Sequence, residues 1–412
     1  MKKTRIFALL LALLLALSCM TLPALAAAEN ALEDTAASTE DPAAIDETAQ
    51  EAPEDTTAQE AIVSADPNFT VAAKAALLID LNTGRTVYEQ DADERVYPAS
   101  LTKIMTCLIA LENGNLSDVI TIDEAALAGL DQDSSVVGLQ VGEQITLENL
   151  LYCMMVHSGN DAALALARYC GGDVETFVEQ MNQKARELGM ADSHFENPNG
   201  LNADGHYSTA ADMARLGIAC MENETVAKIV ATRSITLGNR TFVNHNKLLS
   251  QYEGCVGMKT GYTQLAGRTL VSAARRDGQL LVCVTLSDPD DWRDHAALFD
   301  YGFSTYPRQV LATRNRDFRM LPVAGSLVRF VGVKTASDVY FPLTEGEKVR
   351  AEIELPEQVQ APIEAEVPAG RLVFYVGEEP VGETPLVYAS SVRRDAADKR
   401  PPIRELLKFF FP

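Results

Sequence analysis

Cysteine is scarce: seven occur in 412 residues, and no two form a C-x-x-C pair. That is too dilute for a disulfide scaffold and offers no zinc or redox motif. The five histidines lack H-x-x-x-H or H-x-x-E-H spacing, which argues against a metallopeptidase, and nothing calls for a metal or organic cofactor. Basic residues are outnumbered, 35 against 58 acidic, giving a net charge of −23. Phosphate affinity comes from clustered Lys and Arg, so nucleic acid is not an expected partner. A G-x-S-x-G elbow is missing, since Val156 stands where its first Gly would precede His157 and Ser158. A membrane span is missing from the start of the chain: residues 6–17 are apolar, but 12 residues fall short of the roughly 20 that cross a bilayer.

What is present is apolar enough to fold, 47% hydrophobic, and long enough for two or three domains. Lys2, Lys3 and Arg5 precede the apolar run, and Ala24-Leu25-Ala26 follows it; this is the pattern of a secretory leader over residues 1–26. Residues 29–73 carry twelve acidic side chains and no Lys or Arg. Such a stretch cannot bury enough apolar area to offset its ordering entropy, so residues 27–67 read as a solvated acidic linker. Strand patterns at 75–80 and 86–88 flank an Asn82-Thr83-Gly84 turn. A helix from Tyr97-Pro98-Ala99-Ser100 runs to Asn113-Gly114, and the chain to about residue 222 is mostly helical, with stretches such as 147–157 and 162–169. Strands resume at 235–237, 267–274 and 280–286. Helical rows between strand pairs predict an α/β sandwich with a helical insertion over residues 68–305. Cys107, Cys153 and Cys170 fall in helical apolar stretches and read as small hydrophobes.

After Tyr306-Pro307 the pattern becomes short alternating strands, at 327–333, 349–355, 363–367 and 372–376, which predicts a small all-β domain over 306–392. In the last segment, 393–412, Ile403, Leu406, Leu407 and Phe410 share one helical face, with Arg393, Arg394, Lys399 and Arg400 just before. A basic, aromatic-rich amphipathic tail of this kind suits a membrane surface, the alternative being a helix docked on the β domain.

Three short stretches carry chemistry. Ser100-Leu101-Thr102-Lys103 sets a hydroxyl and an amine one helical turn apart. Serine needs a base to take its proton, and lysine serves only when burial or a nearby cation lowers its pKa. Ser158-Gly159-Asn160 adds a second hydroxyl, able to relay a proton to a leaving amine, and an amide able to bind a backbone carbonyl. Lys259-Thr260-Gly261, before Tyr262, adds a cation that can depress the Lys103 pKa and attract a carboxylate. Gly261 would let substrate backbone approach the strand closely. Lys-Thr-Gly alone is expected about 0.1 times in such a length, so all three in order is a strong joint signal.

This ordered set resembles the low-molecular-mass penicillin-binding proteins, serine-type D-alanyl-D-alanine carboxypeptidases of the β-lactamase/transpeptidase-like superfamily. The likeness extends to Ser158-Gly159-Asn160-Asp161-Ala162, to Phe195-Glu196-Asn197-Pro198-Asn199-Gly200-Leu201 and to Lys259-Thr260-Gly261-Tyr262-Thr263. It implies a sheet flanked by helices, an all-β C-terminal domain, and hydrolysis of the terminal D-Ala from peptidoglycan stem peptides outside the cytoplasm. It further implies Ser100 as acylated nucleophile, Lys103 as general base, and Ser158 and Asn160 in proton transfer and substrate binding. Lys259 and Thr260 would meet the terminal carboxylate, and the N–H groups of Ser100 and Tyr262 would form an oxyanion hole. β-Lactam antibiotics would trap the same serine. The chain departs from the family at one place: Asp291 stands seven residues before Leu298, where an arginine is frequent, and Arg293 comes two residues later. A β-lactamase would need a deacylating Glu, for which Glu196 and Glu148 are the nearby candidates, and neither sits in an E-x-x-L-N setting. The same motifs would serve a D,D-endopeptidase that cuts cross-links. A non-catalytic wall-binding scaffold fits less well, because Ser100, Lys103, Asn160 and Lys259 are all intact.

Overall fold

The computed structural model describes residues 67–130 and 134–395. The expected leader, the acidic linker apart from Pro67, and the amphipathic tail beyond Asp395 lie outside the described residues.

The folded part opens with β1 (Ala75–Asp80) and β2 (Thr86–Gln90). Asp80 closes their turn by accepting from both the N–H and the hydroxyl of Thr83 at 3.0 and 2.9 Å. Then come α1 (Thr102–Asn113), the short hairpin β3 (Val119–Thr121) and β4 (Gln144–Thr146), and five helices. These are α2 (Leu147–His157), α3 (Asn160–Gly171), α4 (Val174–Glu187), α5 (Ala210–Met221) and α6 (Glu224–Val230). Side-chain oxygens of Thr146, Asp173, Thr209 and Asn223 cap four of these helices, taking N–H groups that have no partner inside the helix. A hairpin of β5 (Ser234–Leu237) and β6 (Arg240–Val243) precedes β7 (Cys255–Thr263), β8 (Gly267–Arg276), β9 (Gln279–Leu286) and α7 (Asp291–Thr305).

Five strands form one antiparallel sheet in the order β2-β1-β9-β8-β7. Central β9 is buried throughout, and alternation divides its side chains between two cores. Leu280, Val282, Val284 and Leu286 join the core shared with the helical region, whereas Leu281 and Cys283 pack toward α7 with Leu298 and Phe299. The expected α/β sandwich with a helical insertion is what the chain forms. Two placements matter for the site: α1 is buried from Thr102 to Ala110, and β7 is an edge strand.

The C-terminal part is all β, as expected. It contains β10 (Arg308–Ala312), β11 (Asp317–Ala324), β12 (Phe330–Thr335), β13 (Val339–Pro342), β14 (Val349–Glu354), β15 (Val359–Gln360), β16 (Pro368–Val376) and β17 (Glu379–Tyr388). Six strands form a sheet in the order β14-β16-β17-β12-β11-β15, and β10 pairs with β13. The expectation of a strand at 363–367 needs correction. Ile363 makes a single bridge to Val392, and Glu366 has φ +64°, which breaks an extended run. Arg85, from the β1–β2 turn, reaches into this part: its Nη1 and Nη2 donate to Glu347 Oε2 and Oε1 at 2.9 and 2.5 Å. The guanidinium also lies over the rings of Tyr306 and Phe341 at 4.8 and 5.2 Å.

Candidate active site

Ser100 lies in a tight helical turn, Ala99–Leu101, that leads straight into α1. Ala99 has φ +51°, a strained conformation for a side chain with a Cβ, which re-aims the chain at the nucleophile. Two glycines bracket this turn. A Cβ on Gly200 would come within 1.9 Å of the Ala99 carbonyl oxygen, and one on Gly261 within 3.0 Å of Ser100 N and 2.4 Å of Thr269 Oγ1. The turn is tied down further by Thr269, whose hydroxyl donates to the Pro98 carbonyl at 3.1 Å.

One helical turn on, Lys103 is fully buried. Its Nζ lies 2.8 Å from Ser100 Oγ and donates to the Asn199 carbonyl at 2.6 Å. Burial, and then the neighbouring Lys259 cation, push its pKa well below the ordinary lysine value, while Asp161 opposes them. The neutral amine is therefore favoured beside the hydroxyl, as a base requires. Lys259, on β7, is itself 1% exposed, donates to the Thr260 carbonyl at 2.8 Å, and is lowered by burial to about 7.

Ser158 caps α2 in the left-handed conformation, φ +66°, and α3 begins two residues later at Asn160. The reversal leaves Ser158 and Asn160 buried, at 5% and 4% exposure. Asp161 anchors the loop that covers them: its carboxylate accepts from Val137, Gly138, Leu139 and Ala162 N–H groups at 2.9–3.1 Å. Asn160 N–H donates to the Ser135 carbonyl at 2.7 Å. Asp161 and Lys259 both act on the Lys103 charge, which brings the three stretches into one electrostatic unit. Tyr262 is the exception in burial, 68% exposed on the edge strand. Among the described residues the outward N–H and C=O groups of that edge have no sheet partner.

Two contributions to the site have no signature in the sequence. The Asn197-Pro198-Asn199-Gly200 turn supplies the Asn199 carbonyl to Lys103 and the Pro198 carbonyl to Thr106 at 2.6 Å each. Asp161 had no signal of its own, because its partners are backbone groups far along the chain. His157 packs against Phe242 and His245, with ring centroids at 5.0 and 5.4 Å, so the histidine beside Ser158 is a packed residue. His206 is buried, lowered to about 4, and accepts from Glu196 N at Nδ1. Its Nε2 therefore donates to Thr102 Oγ1, at 2.8 Å, and steadies the start of α1. Asp212 takes the N–H of Asp192, and Thr209 caps the Asp212 N–H. Arg293 pairs with Asp290 and Asp294 at 2.9 Å each, whereas Asp291 holds Arg268.

Comparison with known proteins bears on this geometry. The family model described as D-alanyl-D-alanine carboxypeptidase matches residues 59–290, and that described as the C-terminal domain of penicillin-binding protein 5 matches residues 309–394. The D-alanyl-D-alanine carboxypeptidase DacF of Bacillus subtilis is 32% identical over 338 residues, covering 78% of this chain and 86% of that protein. DacC of Escherichia coli is 32% identical over 341 residues, covering 78% and 85%. Among solved structures, penicillin-binding protein 5 from Haemophilus influenzae superposes with a TM-score of 0.66 at 29% identity, covering 80% of this chain and all of that one. A peptidoglycan synthesis regulatory factor from Streptococcus pneumoniae gives a TM-score of 0.69 at 26% identity, covering 79% of this chain and 100% of its own.

Proposed function

The chain belongs to the D-alanyl-D-alanine carboxypeptidase family, and from that premise we propose how its own residues perform the reaction. The protein is a serine-type, penicillin-binding D,D-carboxypeptidase that acts on peptidoglycan stem peptides, an extracytoplasmic substrate. Lys103, as the neutral amine, takes the Ser100 hydroxyl proton, and Oγ attacks the carbonyl of the penultimate D-Ala. The oxyanion forms against the N–H groups of Ser100 and Tyr262, where a donor is worth about 3 kcal/mol. Ser158 passes the proton to the departing D-Ala amine. Asn160 holds a substrate backbone carbonyl, Gly261 gives the peptide access to the strand edge, and Lys259 and Thr260 face the carboxylate end. Water then attacks the acyl-enzyme; Lys103 accepts its proton and returns it to Ser100 Oγ as the ester bond breaks and the shortened peptide leaves. The observation that carries this reading is the buried Lys103 Nζ, 2.8 Å from Ser100 Oγ and depressed in pKa.

A β-lactamase would need a deacylating carboxylate, and among the described residues neither candidate glutamate hydrogen-bonds to Ser100, Lys103 or Ser158. Glu196 accepts from Gly205 N–H at 3.2 Å, and Glu148 faces Lys228 at 3.9 Å. The deciding experiment incubates the protein with a fluorescent penicillin and, separately, with diacetyl-lysyl-D-Ala-D-Ala. Stable labelling with D-Ala release supports the carboxypeptidase, and rapid loss of label with antibiotic turnover would replace it by a β-lactamase. Labelling without D-Ala release would favour an endopeptidase or a scaffold. Ser100→Ala should abolish labelling, and Lys103→Ala should slow it by at least the ~10²-fold typical of a general base; near-normal rates would remove Lys103 from that role. Removal of the leader after Ala26 and membrane attachment through residues 393–412 complete the proposal. Deleting residues 403–412 should move the protein from the membrane to the soluble fraction, and an unchanged distribution would leave the tail without that role.

A further inference from the structure

The substrate and the penicillins share a carboxylate, and Lys259, which faces its end, is a buried cation held by the main chain. Lys259 is 1% exposed and bonded to the Thr260 carbonyl, and burial leaves it partly neutral near physiological pH, since its pKa is about 7. Its charge, where present, already acts on Lys103. An arginine stands on the neighbouring strand. In the β7–β8 register Arg268 is opposite Tyr262, Thr269 opposite Gly261 and Leu270 opposite Thr260. Alternation therefore places Arg268 on the same sheet face as Thr260 and Tyr262, diagonal to the Thr260 hydroxyl and within reach of a long side chain.

The guanidinium is built into place. Its Nε and Nη2 both donate to Asp291 Oδ1, at 3.0 and 2.5 Å, and it rests 5.1 Å from the Trp292 ring centroid. Asp291 is 2% exposed in the first turn of α7 and also accepts from Trp292 N–H. Lys247 adds positive potential at Asp291. The Arg268 side chain stays 39% exposed, with its Nη1 edge making no hydrogen bond among the described residues. A guanidinium stays charged at every pH of interest and matches a carboxylate bidentately, as an ammonium does not.

We propose that Arg268 joins Lys259 and the Thr260 hydroxyl in receiving the carboxylate of the stem peptide and of penicillins, as the cation that stays charged at every pH of interest, and that Asp291 is its positioning residue. This rests on acylation of Ser100. The test compares acylation of Ser100 by benzylpenicillin and by its methyl ester, followed by mass spectrometry of the full chain. Arg268→Gln should slow benzylpenicillin by roughly 10- to 100-fold, the worth of one charge-assisted contact, and the ester by less than about threefold. Equal loss for both ligands would mean that Arg268 only staples β8 to α7, and would overturn the proposal. Because Arg268→Gln strands a buried Asp291, the double variant Arg268→Gln/Asp291→Asn is measured alongside. It should recover melting temperature while keeping the loss of carboxylate discrimination; recovered discrimination would also overturn the assignment. A wild-type protein acylated by neither ligand would fault the reading of Ser100 instead.

Discussion

Two lysines, 103 and 259, are buried together, and the protein bears an energetic cost for keeping them so. Each unit of pKa depression costs about 1.4 kcal/mol when the amine is charged in the unfolded chain. Lys259 falls from 10.5 to about 7, so between those values the unfolded chain binds more protons than the native one. Stability then rises with pH across that window, the reverse of a lysine that gains a partner on folding. Melting temperature should climb between pH 7 and 9, and Lys259→Met should flatten the climb and raise the midpoint at pH 7. A steeper climb in the variant would refute the assignment. Acylation feels the two groups in opposite senses: it gains as Lys103 becomes neutral, and it loses the Lys259 charge at the carboxylate end above about pH 7. The cation that lowers the Lys103 pKa is thus one that the fold would be more stable without near neutral pH.

At the scale of elements, the site is made by a close approach of three backbones: the turn carrying Ser100, the Asn197–Gly200 turn and edge strand β7. Gly200 has φ +84°, so Gly200→Ala is strained even before its Cβ meets the Ala99 carbonyl at 1.9 Å. The change should lower penicillin acylation by at least about 100-fold, as a displaced nucleophile does, while the β domain stays folded by circular dichroism. Unimpaired acylation would show that this approach has slack. This layer was only partly legible in the sequence. Ser100, Lys103, Lys259 and Gly261 announce themselves by type and spacing, and α1 and β9 by their apolar runs. The Asn199 carbonyl that holds Lys103 does not, because a main-chain oxygen carries no residue signature. Asp161 is equally silent, since its partners are N–H groups of residues 137–139. Strand β17 was hidden by Pro380, Gly382 and Pro385, which read as turn signals. The ladder accommodates Pro380 where the register shifts at Phe374 and Tyr375.

For the whole molecule, the question is what ties the β part to the α/β part. Arg85 answers it most directly. It leaves a turn of the first hairpin, lies over the rings of Tyr306 and Phe341, and meets Glu347 with both side chains under 10% exposed. It also donates to the Pro342 carbonyl. Breaking a buried pair by removing one partner typically costs 3–5 kcal/mol, because the other charge is left uncompensated. For Glu347, burial raises the carboxyl pKa, but the Arg85 hydrogen bonds and charge outweigh it, so the group sits below its ordinary 4.5. Its contribution is therefore complete above that pH and is lost as acid protonates it. Arg85→Ala should split a single calorimetric transition into two, with the β part melting first, and wild-type protein should drift toward the same behaviour only in acid. Ser100 acylation by penicillin should stay within about twofold, because Arg85 touches none of the residues that reach the nucleophile. An unsplit transition at an unchanged midpoint would assign the docking to the surrounding rings alone. If the split appears while acylation holds, the β part is a rigid mount for the catalytic part and contributes nothing to its chemistry.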